Sequence, residues 1–375
     1  MKIYFNMDVA TLIGPFSQIL PMTNMPLKGA LNDKDLDIIE DGGILIKEGK
    51  IIDIGQYDEL LSQYPNVEKF RIYAGAVALP SFIDCHTHLC FDGSRAMDFS
   101  ERNAGTSYQE IAKAGGGIWS SVKHTRAASK ERLVALMIYR SKQLIKNGIG
   151  TVEIKSGYGL NVEQEIKMLE AIQWFNKKTP LDVVSTCLAA HIIPKEFKGD
   201  EEGYLAYLMN ELLPLLKSEK LSNRIDAFVE ENAFSVNATR QYFNFAESLG
   251  FDLTVHGDQF SVGGSALAVE LDALSVDHLE VSGENEINLL ARSETIPVAL
   301  PGASLGIGCA FTPARKLLNA GASLAIASDW NPGSAPMGNL IAQASILASF
   351  EKLSNAEVLA GLTYRGAAAL NIFDK

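Results

Sequence analysis

The sequence predicts an α/β fold, a (β/α)8 TIM-like barrel preceded by a small β-sandwich-type domain. From residue 79 onward, short apolar runs alternate with helical patterns, the order expected of parallel strand–helix units. Eight runs over this length favour a closed barrel over an open sheet. The 375 residues and 47% hydrophobic content suffice for one large core and a smaller unit. The predicted strands are residues 82–86, 151–155, 183–190, 225–229, 253–256, 273–276, 296–300 and 324–327.

The leading segment, residues 1–78, is predicted to form the small β domain, and residues 79–375 the barrel. The leading segment contains short β-type runs separated by turns, such as residues 43–55. Within that stretch, Lys47 to Gly49 indicate a hairpin turn between two strands.

The charge and the apolar pattern exclude several classes of partner. The formal net charge of -12 at pH 7, without a basic run, makes nucleic acid an unlikely partner. No apolar run approaches membrane-spanning length, and the N-terminus lacks the pattern of a signal peptide. The four cysteines show no CxxC spacing and are expected to be reduced. The sequence therefore predicts a cytoplasmic protein without a membrane partner.

The histidines are placed unevenly along the predicted barrel. Of six in the chain, five fall at the C-terminal ends of predicted strands, and His124 lies in a polar helical stretch that we expect at the surface. Active sites of such barrels lie where these strand ends converge, so one pocket would gather the five imidazoles. The five are His86, His88, His191, His256 and His278.

Two of these histidines form the strongest local metal motif. His86 and His88 are two residues apart on one strand, so their side chains point to the same face and can chelate one ion. The alternative is a hydrogen-bonded structural pair. His256 and Asp329, also at predicted strand ends, could complete a mononuclear ligand set with room for water. Taken alone, Asp329 is equally typical of a helix N-cap.

Six stretches of the sequence resemble a known family. The segment PSFIDCHTH at 80–88 is similar to the opening motif of the amidohydrolase superfamily. The likeness extends from about residue 75 to about residue 371, and it is closest to the imidazolonepropionase family of histidine degradation. The stretches that carry it are FDGSR at 91–95, GGGI at 115–118, VEIKSGYGL at 152–160, HGDQ at 256–259 and DWNPG at 329–333.

The resemblance implies hydrolysis of the cyclic amide 4-imidazolone-5-propanoate to N-formimidoyl-L-glutamate, with one zinc or iron ion. It implies His86, His88, His256 and Asp329 as metal ligands, with a water at the open position. Asp329 would accept the proton of the attacking water and pass it to the leaving ring nitrogen. His278 would stabilise the oxyanion or assist this transfer, unless it is a buried, hydrogen-bonded structural histidine.

The resemblance also implies a set of substrate contacts. Arg95 would bind the carboxylate tail through its guanidinium fork, although an isolated loop arginine is more often a solvated charge. Gln259 could pair with the amide edge of the ring. Gly333 could instead serve only the geometry of its turn. The implied contacts are Arg95, Tyr108, Tyr158, His191 and Gln259, with Asn331, Gly333 and Ser334 on the product side.

Three departures from the family pattern limit what the resemblance implies. Lys155 lies on the second predicted strand rather than the fourth, where some superfamily members carry a carboxylated lysine that bridges two metals, so we expect one metal. Gln259 stands where some relatives have an acidic residue, and an amide cannot act as a general base. The family usually continues into strands that complete the small domain, whereas this sequence stops at Lys375. The small domain could therefore lack half its strands, and since an unpaired sheet edge favours aggregation, we expect either that the sequence is shortened or that a partner covers this edge.

Two other functions stay open on the sequence alone. The nearer is a deaminase of a purine or pyrimidine base with the same metal ligands, against which Arg95 and the absence of a helical His-x-x-Glu element argue. The more distant is a non-catalytic barrel, whose expected mark is the loss of metal ligands. For assembly, the resemblance suggests a homodimer.

Overall fold

The computed structural model describes residues 9–106, 110, 115–231 and 233–372. The chain divides into two compact units. The smaller contains the residues up to Pro26 together with Asn32–Pro80, and the larger contains Leu27–Leu31 and the residues from Ser81 onward.

The smaller unit is built on one mixed sheet of five strands, in the order β3-β2-β1-β4, with β5 paired to β1. Strands β2 and β3 are antiparallel and form the predicted hairpin, in which Glu48 and Gly49 adopt left-handed backbone conformations. No second sheet faces this one among the described residues of the unit. The strands are β1 (Thr11–Ile19), β2 (Ile39–Lys47), β3 (Lys50–Gln56), β4 (Glu68–Arg71) and β5 (Val77–Ala78), and the helix is Tyr57–Gln63.

The larger unit contains the eight parallel strands that the sequence predicts, paired in chain order. Each predicted run coincides with an observed strand to within about two residues at either end. Strands buried on both faces give near-continuous apolar runs, which explains this agreement. The strands are β6 (Phe82–Asp84), β7 (Ile149–Lys155), β8 (Asp182–Ala190), β9 (Arg224–Val229), β10 (Asp252–Gly257), β11 (Ser275–His278), β12 (Ile296–Ala299) and β13 (Ala325–Ile326).

The first and last strands of this series meet beyond their C-terminal ends. The β ladder itself runs from β6 to β13 without a strand-to-strand pairing between those two. Thr87 and Trp330 form a parallel bridge, and the backbone N–H of Asp329 donates to the carbonyl oxygen of His86 at 3.1 Å. The segments that carry the predicted metal ligands therefore close the barrel at its C-terminal face.

The helices alternate with the strands and bury one face against the barrel. The helix Lys130–Lys146 is typical: Leu133, Met137 and Leu144 are fully buried, and Gly148 follows its end with a φ of 78°. The remaining α-helices are Ala96–Asn103, Ile118–Ala127, Val162–Asn176, Glu201–Tyr207, Leu213–Glu219, Val236–Ser248, Gly264–Glu270, Glu284–Arg292, Pro301–Ile307, Ala314–Ala320, Leu340–Glu351, Asn355–Leu362 and Tyr364–Ala369, with a π-helical turn at Leu208–Leu212 and 3-10 turns at Asp33–Asp35 and Lys195–Phe197. Within the described part of the chain, none of these helices has the length and apolar character needed to span a bilayer.

Candidate metal centre and substrate pocket

The structure brings the five strand-end histidines together at the C-terminal face of the barrel. The ring centroids of His86 and His256 are 4.4 Å apart, and those of His256 and His278 are 5.4 Å apart. The ring of His191 stacks on that of His88 at 5.3 Å. The sixth histidine, His124, is exposed on the helix Ile118–Ala127.

The four predicted metal ligands direct their donor atoms toward one common position. Nε2 of His88 lies 3.3 Å from Nε2 of both His86 and His256. Oδ1 of Asp329 lies 3.5 Å from Nε2 of His86 and 3.4 Å from Nε2 of His88. All four side chains are almost completely buried, and Oδ1 of Asp329 has no hydrogen-bond partner in the described structure. Such a set of acceptors facing one another fits a divalent cation, which three imidazoles and a carboxylate are suited to hold.

The protonation state of the imidazoles suits metal binding. Burial, followed by the positive charge of Lys155, holds the pKa of His86 well below its usual range. Burial and the neighbouring histidines do the same to the pKa of His88. A neutral imidazole keeps a lone pair on Nε2, which is the form that coordinates a metal.

Two buried aspartates orient two of these rings. Nδ1 of His86 lies 2.6 Å from Oδ2 of Asp277, and Nδ1 of His256 lies 2.9 Å from Oδ2 of Asp226. A carboxylate next to Nδ1 places the ring proton there and leaves Nε2 as the free acceptor. The sequence analysis did not identify either aspartate. A signal was present for Asp226, because it is a charged residue inside the otherwise apolar predicted strand 225–229.

Lys155 is the last residue of β7, the second strand of the barrel, and it lies within ion-pair distance of both aspartates. Its Nζ is 2.8 Å from Oδ2 of Asp226, 2.9 Å from Oε2 of Glu153 and 3.6 Å from Oδ2 of Asp277. Burial alone would lower the pKa of Lys155, but these carboxylates raise it above its ordinary value. The side chain is therefore an ammonium paired to carboxylates and lies outside the set of four donor atoms.

The loop after β13 holds the carboxylate of Asp329 in one direction. Asp329 has a left-handed backbone conformation, with a φ of 50°. Its Oδ2 accepts hydrogen bonds from Nδ2 of Asn331 at 2.8 Å and from Oγ of Ser334 at 3.2 Å. Oδ1 of Asn331 in turn accepts from the backbone N–H of Gly333 and of Ser334. Asn331, Gly333 and Ser334 thus organise this loop, and their contacts to product stay predictions.

Arg95 packs against the same loop and is not a solvated surface charge. Its side chain is 10% exposed, and its Nε donates to Oδ2 of Asp98 at 2.8 Å. Oδ2 of Asp98 also accepts from the backbone N–H of Gly117. A Cβ at Gly333 would clash with Nη1 of Arg95. The absence of a side chain at Gly333 therefore lets the guanidinium lie over the loop that carries Asp329.

Tyr158 and His191 flank the histidine cluster. The ring of Tyr158 is 5.9 Å from that of His88 and 5.6 Å from that of His191. Nδ1 of His191 lies 3.0 Å from the carbonyl oxygen of Gly157, and burial lowers the pKa of His191 to about 3. Nδ1 therefore carries the proton of a neutral ring, and Nε2 is left as an acceptor.

The loop that carries Tyr158 is held by a carboxylate that the sequence analysis missed. Glu165 is buried and accepts hydrogen bonds from the backbone N–H groups of Gly157, Gly159 and Leu160. Gly157 has a φ of 103°, and a Cβ there would approach the carbonyl oxygen of Leu188 to 2.8 Å. These contacts hold the backbone of the loop that carries Tyr158 in one conformation.

The remaining predicted site residues lie around this cluster or outside the described residues. His278 has a strained φ of 89°, and its Nδ1 is 3.5 Å from Oε1 of Glu280. Gln259 is buried just beyond β10, and its backbone N–H donates to Glu230 at 2.7 Å. The predicted contact of its side chain with substrate stays a prediction. Tyr108 lies outside the described residues.

Among solved structures, the fold of this chain resembles that of two deaminases. The adenosine deaminase from Xanthomonas campestris, solved with bound zinc, matches with a TM-score of 0.68 at 16% identity, over 98% of this chain and 81% of that chain. The guanine deaminase from C. acetobutylicum gives a TM-score of 0.65 at 17% identity, over 96% and 86%. At such identities the likeness concerns the fold, and it confirms the predicted fold class.

Comparison of sequences finds relatives with higher identity to this chain than these solved structures have. The chain is 41% identical over 373 residues to the imidazolonepropionase of Bdellovibrio bacteriovorus, a match that covers 98% of this chain and 87% of that protein. It is 40% identical over 342 residues to the imidazolonepropionase of Christiangramia forsetii, over 90% and 82%. No family model matches the chain. From the extent of the identity to these relatives, together with the amidohydrolase-type barrel, this chain belongs to the imidazolonepropionase family of hydrolases acting on carbon–nitrogen bonds.

Proposed function

We propose that this protein hydrolyses the ring amide of 4-imidazolone-5-propanoate to N-formimidoyl-L-glutamate, a step of histidine degradation. The observation that carries the proposal is the convergence of four buried donor atoms, from His86, His88, His256 and Asp329, together with the packing of the Arg95 guanidinium against the loop that carries Asp329. The donor set fits a metal that activates water, and Arg95 offers a partner for an anionic tail. The relatives named imidazolonepropionase support the choice of substrate.

The ion that these ligands would hold is proposed to be zinc or iron. Imidazole and carboxylate donors suit both metals, and a deaminase with the same fold was solved with bound zinc. When bound, such an ion acts as a Lewis acid on a carbonyl oxygen and makes a water molecule easier to deprotonate.

The proton of the attacking water would pass through Asp329. Its Oδ2 is held by Asn331 and Ser334, so Oδ1 keeps its direction and can accept a proton and deliver it to the leaving ring nitrogen. Gln259 cannot share this task, because an amide is not a general base. Burial opposes a charge on His278, but the carboxylate of Glu280 next to its Nδ1 raises the pKa of this ring above its ordinary value. This favours the imidazolium, which would donate a hydrogen bond from Nε2 to the developing oxyanion.

The substrate would lie between the donor cluster and Arg95. The guanidinium uses Nε for Asp98, and among the described residues its Nη groups have no hydrogen bond, so that they could bind a carboxylate. The rings of Tyr158 and His191 close one side of this space next to His88. The arrangement favours a small flat ring that carries a negatively charged tail.

Replacing Arg95 with alanine is expected to raise KM far more than it lowers kcat. The change removes charge-assisted hydrogen bonds to the tail, worth about 1.5–3 kcal/mol, and that corresponds to roughly 10- to 100-fold in KM. The metal ligands are untouched. Steady-state kinetics over a range of substrate concentrations would measure both constants.

Arg240 provides the matched control for this change. It forms a surface ion pair with Glu270 on the helix Val236–Ser248, and R240A is expected to leave both constants unchanged. An R95A variant with the KM of the unmodified protein would show that the carboxylate is bound elsewhere.

The activity itself is tested with freshly prepared imidazolone propanoate. Metal-loaded protein is expected to remove the ultraviolet absorbance of the substrate, and a chelator is expected to stop the reaction. If metal-loaded protein shows no turnover, the proposed function is wrong. Ammonia release from a purine or pyrimidine base under the same conditions would identify a deaminase instead.

We also propose that the protein acts in the cytoplasm, as a homodimer, without nucleic acid or membrane as a partner. All four cysteines are unpaired, which is typical of a reducing compartment. The net charge of -12 disfavours binding to phosphate backbones. The homodimer rests on the family resemblance alone.

A further inference from the structure

A cluster of four charged side chains lies beneath the candidate metal centre. It consists of Lys155, Glu153, Asp226 and Asp277, and we call it the inner charge cluster. None of the four is more than 1% exposed. Three buried carboxylates repel one another strongly, and the ammonium of Lys155 lies within ion-pair distance of all three.

The inner charge cluster touches the metal ligands through single shared oxygen atoms. Oδ2 of Asp226 lies 2.8 Å from Nζ of Lys155 and 2.9 Å from Nδ1 of His256. Oδ2 of Asp277 lies 3.6 Å from the same Nζ and 2.6 Å from Nδ1 of His86. One ammonium is thus linked to two metal-binding rings, each through one carboxylate oxygen.

Glu153 connects the cluster to the two strands that follow β7. Its Oε1 accepts a hydrogen bond from Oγ1 of Thr186 at 2.5 Å and lies 3.8 Å from Nε of Arg224. Its Oε2 lies 2.9 Å from Lys155. Since Glu153 is held by residues of neighbouring strands, it also fixes the position of the Lys155 ammonium.

We propose that Lys155 is a positioning residue for the metal centre, and that it sets metal affinity by holding Asp226 and Asp277 against the Nδ1 atoms of His256 and His86. This inference rests on the metal site of the proposed function. Without the ammonium, the carboxylates lose their common counter-charge and move apart, and both rings lose the partner that directs Nε2 to the ion. No separate contact between Lys155 and the metal or the substrate is required.

The test compares metal affinity in folded protein. K155M removes the charge but keeps much of the side-chain length, and its dissociation constant for Zn²⁺ is measured by competition with a chelator. The expected result is an affinity about 10- to 100-fold weaker, the usual effect of losing a partner behind a metal ligand. The visible absorption of the Co²⁺ form is expected to change as well, because two ligands shift. K155R, which keeps a cation, is expected to bind Zn²⁺ more tightly than K155M.

Lys167 is the matched control, since it is another lysine that serves the structure of the same barrel. Its Nζ donates to the carbonyl oxygens of Thr125, Arg126 and Ala128 and to no metal ligand. K167M is expected to lower the melting temperature without changing Zn²⁺ affinity or the Co²⁺ spectrum. A merely structural role for Lys155 would give K155M that same behaviour, and this result would overturn the proposal.

Two further outcomes are distinguishable. If K155M does not fold by circular dichroism, D226N carries the test: weaker Zn²⁺ binding supports the proposal, and unchanged binding refutes it. If the unmodified protein binds Zn²⁺ tightly but does not turn over imidazolone propanoate, the proposed function fails. The affinity comparison between K155M and K167M still decides the role of Lys155.

Discussion

The H256A variant is expected to lose both bound metal and activity. His256 contributes Nε2, 3.3 Å from Nε2 of His88, and its removal leaves three of the four donor atoms. It also leaves Asp226 without the ring that it orients. The loss of metal affinity should exceed the 10- to 100-fold that is typical for removing a partner behind a ligand. Elemental analysis of the purified variant, alongside kcat/KM, measures both effects.

The control for H256A is a histidine far from the cluster. His124 is exposed, and its Nδ1 contacts the carbonyl oxygen of Ser120 four residues earlier. H124A is expected to keep the metal content and the kcat/KM of the unmodified protein. If H256A also retained a full complement of metal, its assignment as a ligand would be refuted.

The D329N variant is expected to lose most of its turnover while remaining folded. Asparagine tolerates the left-handed backbone found at Asp329, so the loop after β13 should keep its shape. The amide cannot accept the proton of the attacking water, and it places an NH2 group against either Asn331 or the imidazole cluster. A positioned base contributes about 10²- to 10⁴-fold, and we expect a fall in kcat of that order. Stopped-flow or steady-state kinetics on metal-loaded protein measures this fall in kcat.

A second aspartate with a similar backbone serves as the control for D329N. Asp272 has a φ of 48° and is exposed after the helix Gly264–Glu270. D272N is expected to leave kcat and thermal stability unchanged. A D329N protein that keeps kcat within a few fold of the unmodified value would exclude Asp329 as the proton carrier.

The barrel strands were predictable because a strand that is buried on both faces requires a locally apolar sequence. Strands covered on both faces are short apolar runs, and helical periodicity between them marks the crossovers. The same pattern placed five histidines at strand ends, and the parallel strand order then required them to share one face of the barrel. Strand boundaries were less certain: β6 ends at Asp84, so His86 lies just beyond the ladder.

The charged partners of the metal ligands were not predictable. Asp277 lies 191 positions from His86 along the chain, yet their side chains are 2.6 Å apart. No local pattern encodes such a pair, because it depends on which strands are neighbours and on how far each strand is shifted along the barrel.

The sequence by itself determined the barrel, the residue types of the candidate metal centre and the end of the barrel where these residues meet. These features follow from hydrophobic periodicity and from the geometry of parallel strands. Only the tertiary structure decided that Lys155 pairs with carboxylates, that Asp226 and Asp277 contact two of the candidate ligands, and that Gly333 makes room for Arg95. The physical reason is that hydrogen bonds and ion pairs act over a few ångströms, and chain segments come that close only when the whole barrel has packed.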